Sequence, residues 1–368
     1  MSFVPVILAL ASAAPMQGKP AAPAQGAPKK DAPKQEAPKK DEPKPEAPKA
    51  EGETEWIADF DEGAKAAKAA GKDLLVDFTG SDWCGWCIKL HDEVFKHDEF
   101  LDGTDPNFVR VALDYPHNPP AIAKVPNPKR NAELAQKYHI RGYPTVLLMT
   151  ADGEVYGRTG YQPDGPEAYV KSLDTMRENG KKQLAEIQAF AKSVDAAKGA
   201  DLDKLLDQAI EKLNDEAKKE DSAFVDANAT IVRKAYVADP NNEKGLKLKA
   251  FNALIDSGAG ETSDFAIGRE LDPKNQQGIL EKVVEAQLGS LSSREQIPDA
   301  IKWIEDLDAA GPIHDQERAK RFYANAAVWS AQVTKDNTKA KKFAQKAKDL
   351  GVSDNPQLAA MLDKILSS

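Results

Sequence analysis

The fold predicted for this chain rests on the segment Leu74–Cys87, which reads L-L-V-D-F-T-G-S-D-W-C-G-W-C. Its first five residues, Leu74–Phe78, form a short apolar run that is typical of a buried strand. From Cys84 to Phe100 the apolar side chains recur at the spacing of one helix face. We therefore predict that Cys84 and Cys87 lie where a strand gives way to the first turn of a helix.

These two cysteines are the only ones in the 368-residue chain. A lone Cys-x-x-Cys indicates a redox pair rather than the disulfide framework of a small secreted fold. Only the thiolate is a nucleophile, and a helix N-terminus stabilises an anion by up to ~2 kcal/mol. We therefore expect a lowered pKa for Cys84. Cys87 follows one turn later, where it can attack a mixed disulfide on Cys84 and release the partner.

Two alternatives for the cysteine pair are a zinc site and an inert structural pair. His91 lies four residues beyond Cys87, so Cys84, Cys87 and His91 would supply three zinc ligands. A structural zinc site needs four ligands, and the sequence offers no fourth. We predict that the chain uses no metal and no cofactor, and that the dithiol itself carries the chemistry.

Around the cysteine pair the sequence resembles the thioredoxin superfamily, over roughly residues 54–180. Four elements occur in the family's order: Val76–Phe78 before the active site, Trp83–Cys87 with Lys89 at the active-site turn and helix, Ile140–Thr145 around the family's cis-proline, and Asp152–Gly160 at the terminal hairpin. The sequence of residues 77–83 looks most like that of exported thioredoxin-like disulfide reductases of bacteria. The resemblance implies a central mixed sheet flanked by helices, and thiol–disulfide oxidoreductase activity.

The resemblance also implies roles for eight residues. Cys84, Cys87 and Asp77 would be catalytic, and Trp83, Gly85, Trp86, Tyr143 and Pro144 would bind substrate. Pro144 would follow a cis peptide bond and lie against the cysteines, where Tyr143 offers backbone groups to a bound substrate strand. Asp77 would be the semi-buried carboxylate that takes the proton from Cys87, since burial raises a carboxyl pKa towards neutrality.

Arg110, on the next predicted strand, falls where the family often has a lysine facing that carboxylate; an ordinary surface pair is the alternative. Three features depart from the family's pattern. Asp77 precedes Cys84 by one residue more than in the plain thioredoxin pattern, and Trp86 replaces the usual proline between the cysteines. The segment Tyr115–Lys129 is longer than its thioredoxin counterpart, which predicts an insertion near the active face; a tolerated loop insertion is the alternative.

The N-terminal sequence predicts export. Residues 3–14 are apolar but too few for a transmembrane helix, which needs about 20. Together with the cleavage signal Ala11-Ser12-Ala13 they predict a signal peptide at 1–14, although no Lys or Arg precedes the apolar run. Residues 15–53, rich in Pro, Ala, Lys and Glu, predict a disordered linker because they offer too little apolar surface to offset the entropy of ordering. We expect the protein in the periplasm, in the cell envelope or outside the cell.

Residues 181–368 predict an all-α domain, because segments rich in Ala, Leu, Lys and Glu alternate with Gly, Pro and Asn breaks. Two breaks, Asp239-Pro240 and Asp272-Pro273, lie 33 residues apart, a period typical of tetratricopeptide-like helical hairpins. The predicted fold class is therefore an α/β thioredoxin-like domain at 54–180, followed by an all-α helical-hairpin repeat-like domain. The formal net charge of −9, with acidic residues and lysines interspersed, argues against nucleic-acid binding, which needs a basic face.

Two functions agree with these patterns. The first is an extracytoplasmic enzyme that reduces or isomerises disulfides of protein substrates, draws electrons from an unidentified donor, and recruits partners through its helical domain. The second is a non-enzymatic scaffold, in which the helical domain recruits partners and the thioredoxin-like domain only docks.

Overall fold

The computed structural model describes residues 56–291, 293–351 and 356–368; the predicted signal peptide at 1–14 and linker at 15–53 lie outside the described residues. Among the described residues, four strands form one mixed sheet in the order β2-β1-β3-β4. The strands are β1 (Asp73–Thr79), β2 (Phe108–Asp114), β3 (Thr145–Met149) and β4 (Val155–Thr159). β1 pairs parallel with β2 and antiparallel with β3, and β3 pairs antiparallel with β4. This confirms the mixed sheet predicted for this region.

Helices cover both faces of the sheet. They are α1 (Phe60–Ala70), α2 (Gly85–Leu90), α3 (Asp98–Thr104), α4 (Pro119–Ile122), α5 (Pro128–Lys137) and α6 (Gly165–Ala196). A π-helical turn, His91–Phe95, continues α2 without a break. The single helix predicted from Cys84 to Phe100 is wrong beyond that turn, because the backbone of His97 is extended and starts a new helix.

Two apolar clusters sandwich the sheet because side chains alternate along each strand. One face of β1 contributes Leu74, Val76 and Phe78 to a cluster with α1 and α5. The opposite face contributes Leu75 to a cluster with α2, α3 and α6. This second cluster also includes Phe224 from the helical half of the chain. The two halves therefore share apolar core.

The last helix of the thioredoxin-like region is longer than predicted. The sequence of residues 164–176 predicts a helix, and α6 continues beyond it to Ala196. The buried carboxylate of Asp73, at the start of β1, accepts hydrogen bonds from Arg177 (2.7 Å) and Lys181 (3.0 Å). These contacts hold α6 against the sheet on both sides of the boundary predicted after residue 180. The division into domains at that point falls within one continuous helix and stays a prediction.

Gly180 explains why α6 remains docked there. A Cβ atom at this position would lie 2.0 Å from the carbonyl oxygen of Tyr156 on β4. A glycine inside a helix normally weakens it, and therefore looks like an end signal in the sequence. Here it permits the helix backbone to approach the strand.

The rest of the described chain is helical, as predicted. The helices are α7 (Gly199–Ala217), α8 (Val225–Val232), α9 (Ala235–Ala238), α10 (Leu246–Asp256), α11 (Thr262–Leu271), α12 (Ile279–Gly289), α13 (Ile297–Ala310), α14 (Gln316–Trp329), α15 (Asn337–Asp349) and α16 (Pro356–Ser367). No helix within the described ranges has the length and apolar character needed to cross a membrane.

The two Asp-Pro breaks have the same geometry. Asp239 and Asp272 are both buried, and each carboxylate accepts a hydrogen bond from the backbone N–H seven residues later, at 2.9 Å and 3.2 Å respectively. Three residues after each aspartate, an asparagine adopts left-handed φ, 57° at Asn242 and 50° at Asn275. The same capped turn thus recurs at the 33-residue spacing on which the helical-hairpin prediction rests.

Candidate active site

Cys84 and Cys87 form a disulfide bond at the start of α2, with their Cα atoms 5.2 Å apart. Cys84 is the N-cap of the helix, and its Sγ accepts a hydrogen bond from the backbone N–H of Cys87 at 3.2 Å. Both cysteines are buried in this oxidised state, and Gly85 between them is exposed. The predicted position of the cysteine pair at the head of a helix is confirmed.

The turn between β1 and α2 accommodates the extra residue in the sequence. It is closed by a hydrogen bond from the N–H of Cys84 to the carbonyl of Gly80 at 2.9 Å. Asp114, at the end of β2, accepts hydrogen bonds from the N–H (2.9 Å) and the Oγ (2.6 Å) of Ser81. A side chain at Gly80 would collide with the ring of Trp83, 2.6 Å away. The turn is therefore held by β2 and packed beneath Trp83.

The cis-proline segment lies beside this turn. The Tyr143–Pro144 peptide bond is cis, as predicted. The ring of Tyr143 meets the ring of Trp83 edge-on, with centroids 5.5 Å apart, and also contacts Tyr115 at 5.3 Å. Tyr143 and Trp83, two of the residues predicted to bind substrate, therefore touch each other.

The insertion after β2 packs against the same turn. The indole N–H of Trp83 donates to the carbonyl of Tyr115 at 2.8 Å, and the indole stacks on the ring of His117 at 4.5 Å. The carboxylate of Asp82 accepts the backbone N–H groups of His117 and Asn118, at 2.9 Å and 2.7 Å. These bonds hold the start of the insertion against the residues that precede Cys84.

Trp86 projects from the other side of the cysteines and is 58% exposed. Its ring packs on Tyr161 with centroids 5.1 Å apart, and the amine of Lys89 lies 5.3 Å from the Trp86 ring and 4.8 Å from that of Tyr161. The Tyr161 hydroxyl donates to Glu93 at 2.6 Å. Sequence reasoning missed Tyr161 and Glu93, because the residues C-terminal to β4 carry no motif that links them to the cysteines.

Asp77 lies in the middle of β1 and is 6% exposed, and its Oδ1 has no hydrogen-bond partner. Burial, followed by the negative charge of Asp114, raises the pKa of Asp77 from 3.8 to about 7, while a hydrogen bond from Thr79 opposes the rise. The predicted effect of burial on this carboxyl is therefore present. Its role towards Cys87 stays a prediction.

Comparison with known proteins assigns this arrangement to a family. A thioredoxin-like domain model matches residues 60–177. The disulfide bond reductase DsbH of Chlamydia pneumoniae is 31% identical over 127 residues, which cover 34% of this chain and 73% of DsbH. The chain belongs to the thioredoxin-like family. Together with the Cys84–Cys87 pair, this membership makes it a thiol–disulfide oxidoreductase.

Other relatives are similar to this thioredoxin-like protein over part of its length. The thioredoxin-related protein DsbJ of Chlamydia pneumoniae is 32% identical over 27% of this chain and 29% of its own length. A protein disulfide-isomerase of Datisca glomerata is 30% identical over 32% of this chain and 20% of its own length. A solved structure of a DsbH oxidoreductase aligns with 34% of this chain and 85% of that chain, at 30% identity and a TM-score of 0.30.

One prediction for the thioredoxin-like site is wrong. Arg110 does not face Asp77, because the strand register aligns it with Leu75. Its buried guanidinium instead donates to the carbonyl of Leu101 (3.0 Å) and to Oγ1 of Thr104 (2.7 Å) near the end of α3. The alternative of an ordinary surface pair is wrong as well, since Arg110 is 4% exposed.

Among the residues that the structure describes, no group of three or more His, Cys, Asp or Glu side chains is arranged to hold a metal ion. Both cysteines are joined to each other in the disulfide.

Proposed function

We propose that this chain reduces or isomerises disulfides of protein substrates outside the cytoplasm, with Cys84 as the attacking thiolate and Cys87 as the resolving thiol. The observation that carries the proposal is the Cys84–Cys87 disulfide at the N-terminus of α2 in a thioredoxin-like fold. The N–H group of Cys87 already points at Sγ of Cys84, and such a donor stabilises a thiolate.

The chemistry transfers two electrons from the enzyme to the substrate. The Cys84 thiolate attacks one sulfur of the substrate disulfide, a mixed disulfide forms, and the other substrate sulfur leaves as a thiolate. Cys87 loses its proton to Asp77 and attacks Sγ of Cys84, so the second substrate sulfur leaves and the Cys84–Cys87 disulfide forms. A two-electron donor, such as a dithiol protein, restores the thiols. In isomerisation a substrate thiol resolves the mixed disulfide instead, and no net electron transfer occurs.

The environment of Asp77 supports its role as the proton acceptor. A general base works best when its pKa lies near the working pH, and burial with the neighbouring Asp114 brings the pKa of Asp77 to about 7. No described residue donates a hydrogen bond to Oδ1 of Asp77, so this oxygen can accept the proton from Cys87 without first losing another donor.

The surface around the cysteines supports polypeptide substrates. Trp83, Trp86 and Ile88 are 42%, 58% and 44% exposed, which is unusual for large apolar side chains. Apolar side chains of an unfolded client would bury these surfaces on contact. The cis-proline segment with Tyr143 lies beside Trp83 and offers backbone groups to the same client. A relative named disulfide bond reductase favours reduction, and relatives named protein disulfide-isomerase favour isomerisation.

Export is supported by the sequence of residues 1–14, and the helical half offers additional surface for recruiting partners. The rival function, a scaffold without redox activity, predicts that both cysteines are dispensable.

Reduction of insulin by dithiothreitol, followed with the full chain as catalyst, tests the proposal. Cys84→Ser is expected to abolish catalysis. Pre-reduced Cys87→Ser, mixed with insulin in the absence of dithiothreitol, should accumulate a mixed disulfide that dithiothreitol then releases. His91→Ala, an exposed change on the same helical segment, is the matched control and should retain full rate. Full activity of both cysteine variants would establish the scaffold instead. A Cys84–Cys87 potential near −270 mV would favour reduction, and one near −120 mV would contradict it.

A further inference from the structure

The helical half supplies a second wall beside the cis-proline segment. A cavity of about 430 Å³ lies between residues 138–145 with 158–160 on one side, and residues 217–226 with Ser257 and Gly258 on the other. Its size falls in the range of about 300–1,000 Å³ that is typical of ligand sites. Tyr143 and Pro144 line it, and the ring of Tyr143 also contacts Trp83 in the turn that carries the cysteines.

Direct contacts fix the distance between the two walls. Nε2 of His139 lies 3.2 Å from Oδ1 of Asp226 on α8. Arg141 lies against Gly258, where an added Cβ would be 2.1 Å from a guanidinium nitrogen. Phe224 belongs to the same apolar cluster as the sheet. Contacts between the two halves of the chain therefore hold the two walls of the cleft in place.

Three Lys and Arg side chains line the cleft, and one of them, Arg141, remains available. Lys219 pairs with Glu216 at 2.7 Å. Arg158 is engaged, since it donates to the carbonyl of Tyr138 at 2.6 Å and has the carboxylates of Asp221 and Asp226 nearby. Arg141 is exposed and adds a second positive charge close to Arg158. Across the described ranges, no carboxylate forms an ion pair with Arg141 that would neutralise it.

We propose that this cleft binds an extended segment of the client polypeptide next to its reacting cysteine, with a carboxylate side chain against Arg141. This inference rests on the proposed function, because the mixed disulfide with Cys84 delivers the segment. Each extended residue spans at most about 3.3–3.6 Å, so residues within a few positions of the client cysteine reach past Tyr143 and Pro144. Tethering raises their effective concentration at the cleft. Clients with acidic side chains near their cysteines are therefore preferred.

A pair of synthetic disulfides tests the inference. Each is an approximately ten-residue peptide with a central cysteine disulfide-linked to 2-mercaptoethanol, flanked by glutamates in one version and by glutamines in the other. Reduced full-length enzyme is mixed with each peptide, and the half-saturating concentration is taken from single-turnover rates. Hydroxyethyl disulfide, which is small and uncharged, reports the thiol chemistry without the cleft.

The wild-type enzyme is expected to half-saturate at a concentration about three- to tenfold lower with the glutamate peptide than with the glutamine peptide. Arg141→Glu should remove or reverse this preference, and Lys65→Glu, an equal charge reversal on the exposed side of α1, should keep it. Ala217→Trp, which narrows the cleft from the helical wall, should raise the half-saturating concentration of both peptides. The rate with hydroxyethyl disulfide should be the same in all four proteins.

Equal half-saturation by the two peptides, or a preference that survives Arg141→Glu, would overturn the inference and leave the proposed function intact. If reduced wild-type enzyme reacts with neither the peptides nor hydroxyethyl disulfide, the proposed function fails and the inference fails with it.

Discussion

Asp77 and Asp114 project from neighbouring strands on the same side of the sheet, and the negative charge of Asp114 adds to the effect of burial on the pKa of Asp77. The register pairs Asp77 with Ala112 and Thr79 with Asp114. The two carboxyl groups therefore lie on the same face of the sheet, offset by two residues along the strand direction. A cation was expected opposite Asp77. The structure has a second carboxylate near it instead, which favours the protonated form of Asp77 near neutral pH.

The first prediction concerns the stability of the oxidised protein. The pKa of Asp77 is about 7 in the folded protein and 3.8 for a free carboxyl. Between these two pH values the folded protein keeps the proton on Asp77, whereas the unfolded chain has released it. The stabilising contribution of this proton is complete below about pH 4 and is lost as the pH rises through about 7. The unfolding free energy of Asp77→Asn should therefore rise relative to that of the wild type as the pH increases. The total change is on the order of 4 kcal/mol between pH values below the unfolded pKa and pH values above the folded pKa of Asp77.

Guanidinium unfolding at about pH 4 and about pH 8 measures this difference. Asn179→Gln, an exchange of two non-ionisable side chains at an exposed position of α6, is the control and should show the same difference from the wild type at both pH values. A pH-independent effect of Asp77→Asn would contradict the raised pKa.

The second prediction separates Asp114 from burial as a cause. Asp114→Asn removes the negative charge and keeps an oxygen that can accept the N–H of Ser81. The pKa of Asp77 should fall below about 7, because only burial then raises it. The pH profile for resolution of a mixed disulfide by Cys87 should shift to lower pH in this variant. An unchanged profile would mean that Asp77 is not the group that titrates in that step.

The third prediction concerns Arg110. Its removal leaves the carbonyl of Leu101 and the hydroxyl of Thr104 without this buried donor. Arg110→Met should therefore cost about 2–4 kcal/mol of unfolding free energy. Because Arg110 is aligned with Leu75 and not with Asp77, the pH profile for resolution of the mixed disulfide by Cys87 should be the same as in the wild type. A profile shifted to higher pH, as expected when a cation near a carboxylate is removed, would show that Arg110 does act on Asp77.

The fourth prediction tests the close approach of α6 to β4. Gly180→Ala would place a Cβ 2.0 Å from the Tyr156 carbonyl oxygen, which forces the helix away from the strand. The expected cost is at least about 2 kcal/mol, measured by chemical unfolding. Gly289→Ala in α12 meets no atom within 4 Å and serves as the control, which should be neutral or stabilised. Equal effects of the two changes would argue against the contact.

Local pattern was sufficient for the elements around the cysteines. The apolar run before Thr79 predicted β1, and the spacing after Cys84 predicted the helix that Cys84 caps. The cis peptide bond before Pro144 followed from the family resemblance of its segment. The Asp-Pro breaks predicted helical hairpins, because the capping carboxylate and its turn are encoded within a few consecutive residues.

Contacts between distant segments were not predictable in the same way. Arg110 was matched to Asp77 through the family resemblance. A strand register is set by the pairing of whole strands, and here it aligns Arg110 with Leu75. The Trp86–Tyr161 contact joins residues from opposite ends of the thioredoxin-like region. The boundary predicted after residue 180 falls inside α6, and a sequence does not reveal that the Tyr156 carbonyl occupies the space of a side chain at Gly180.

Periodicity, helix caps and a contiguous motif are local properties of the chain, and they were enough to predict a dithiol at the head of a helix and a helical second half. The thioredoxin-like sheet was implied by the family resemblance. The folded structure was needed to show which charge lies near Asp77 and how far α6 extends along the sheet. It was also needed to show that α8 and its neighbours form one wall of a cleft beside Pro144. Those features depend on packing between segments many residues apart, where close contact and exclusion of water, rather than sequence spacing, determine which groups meet.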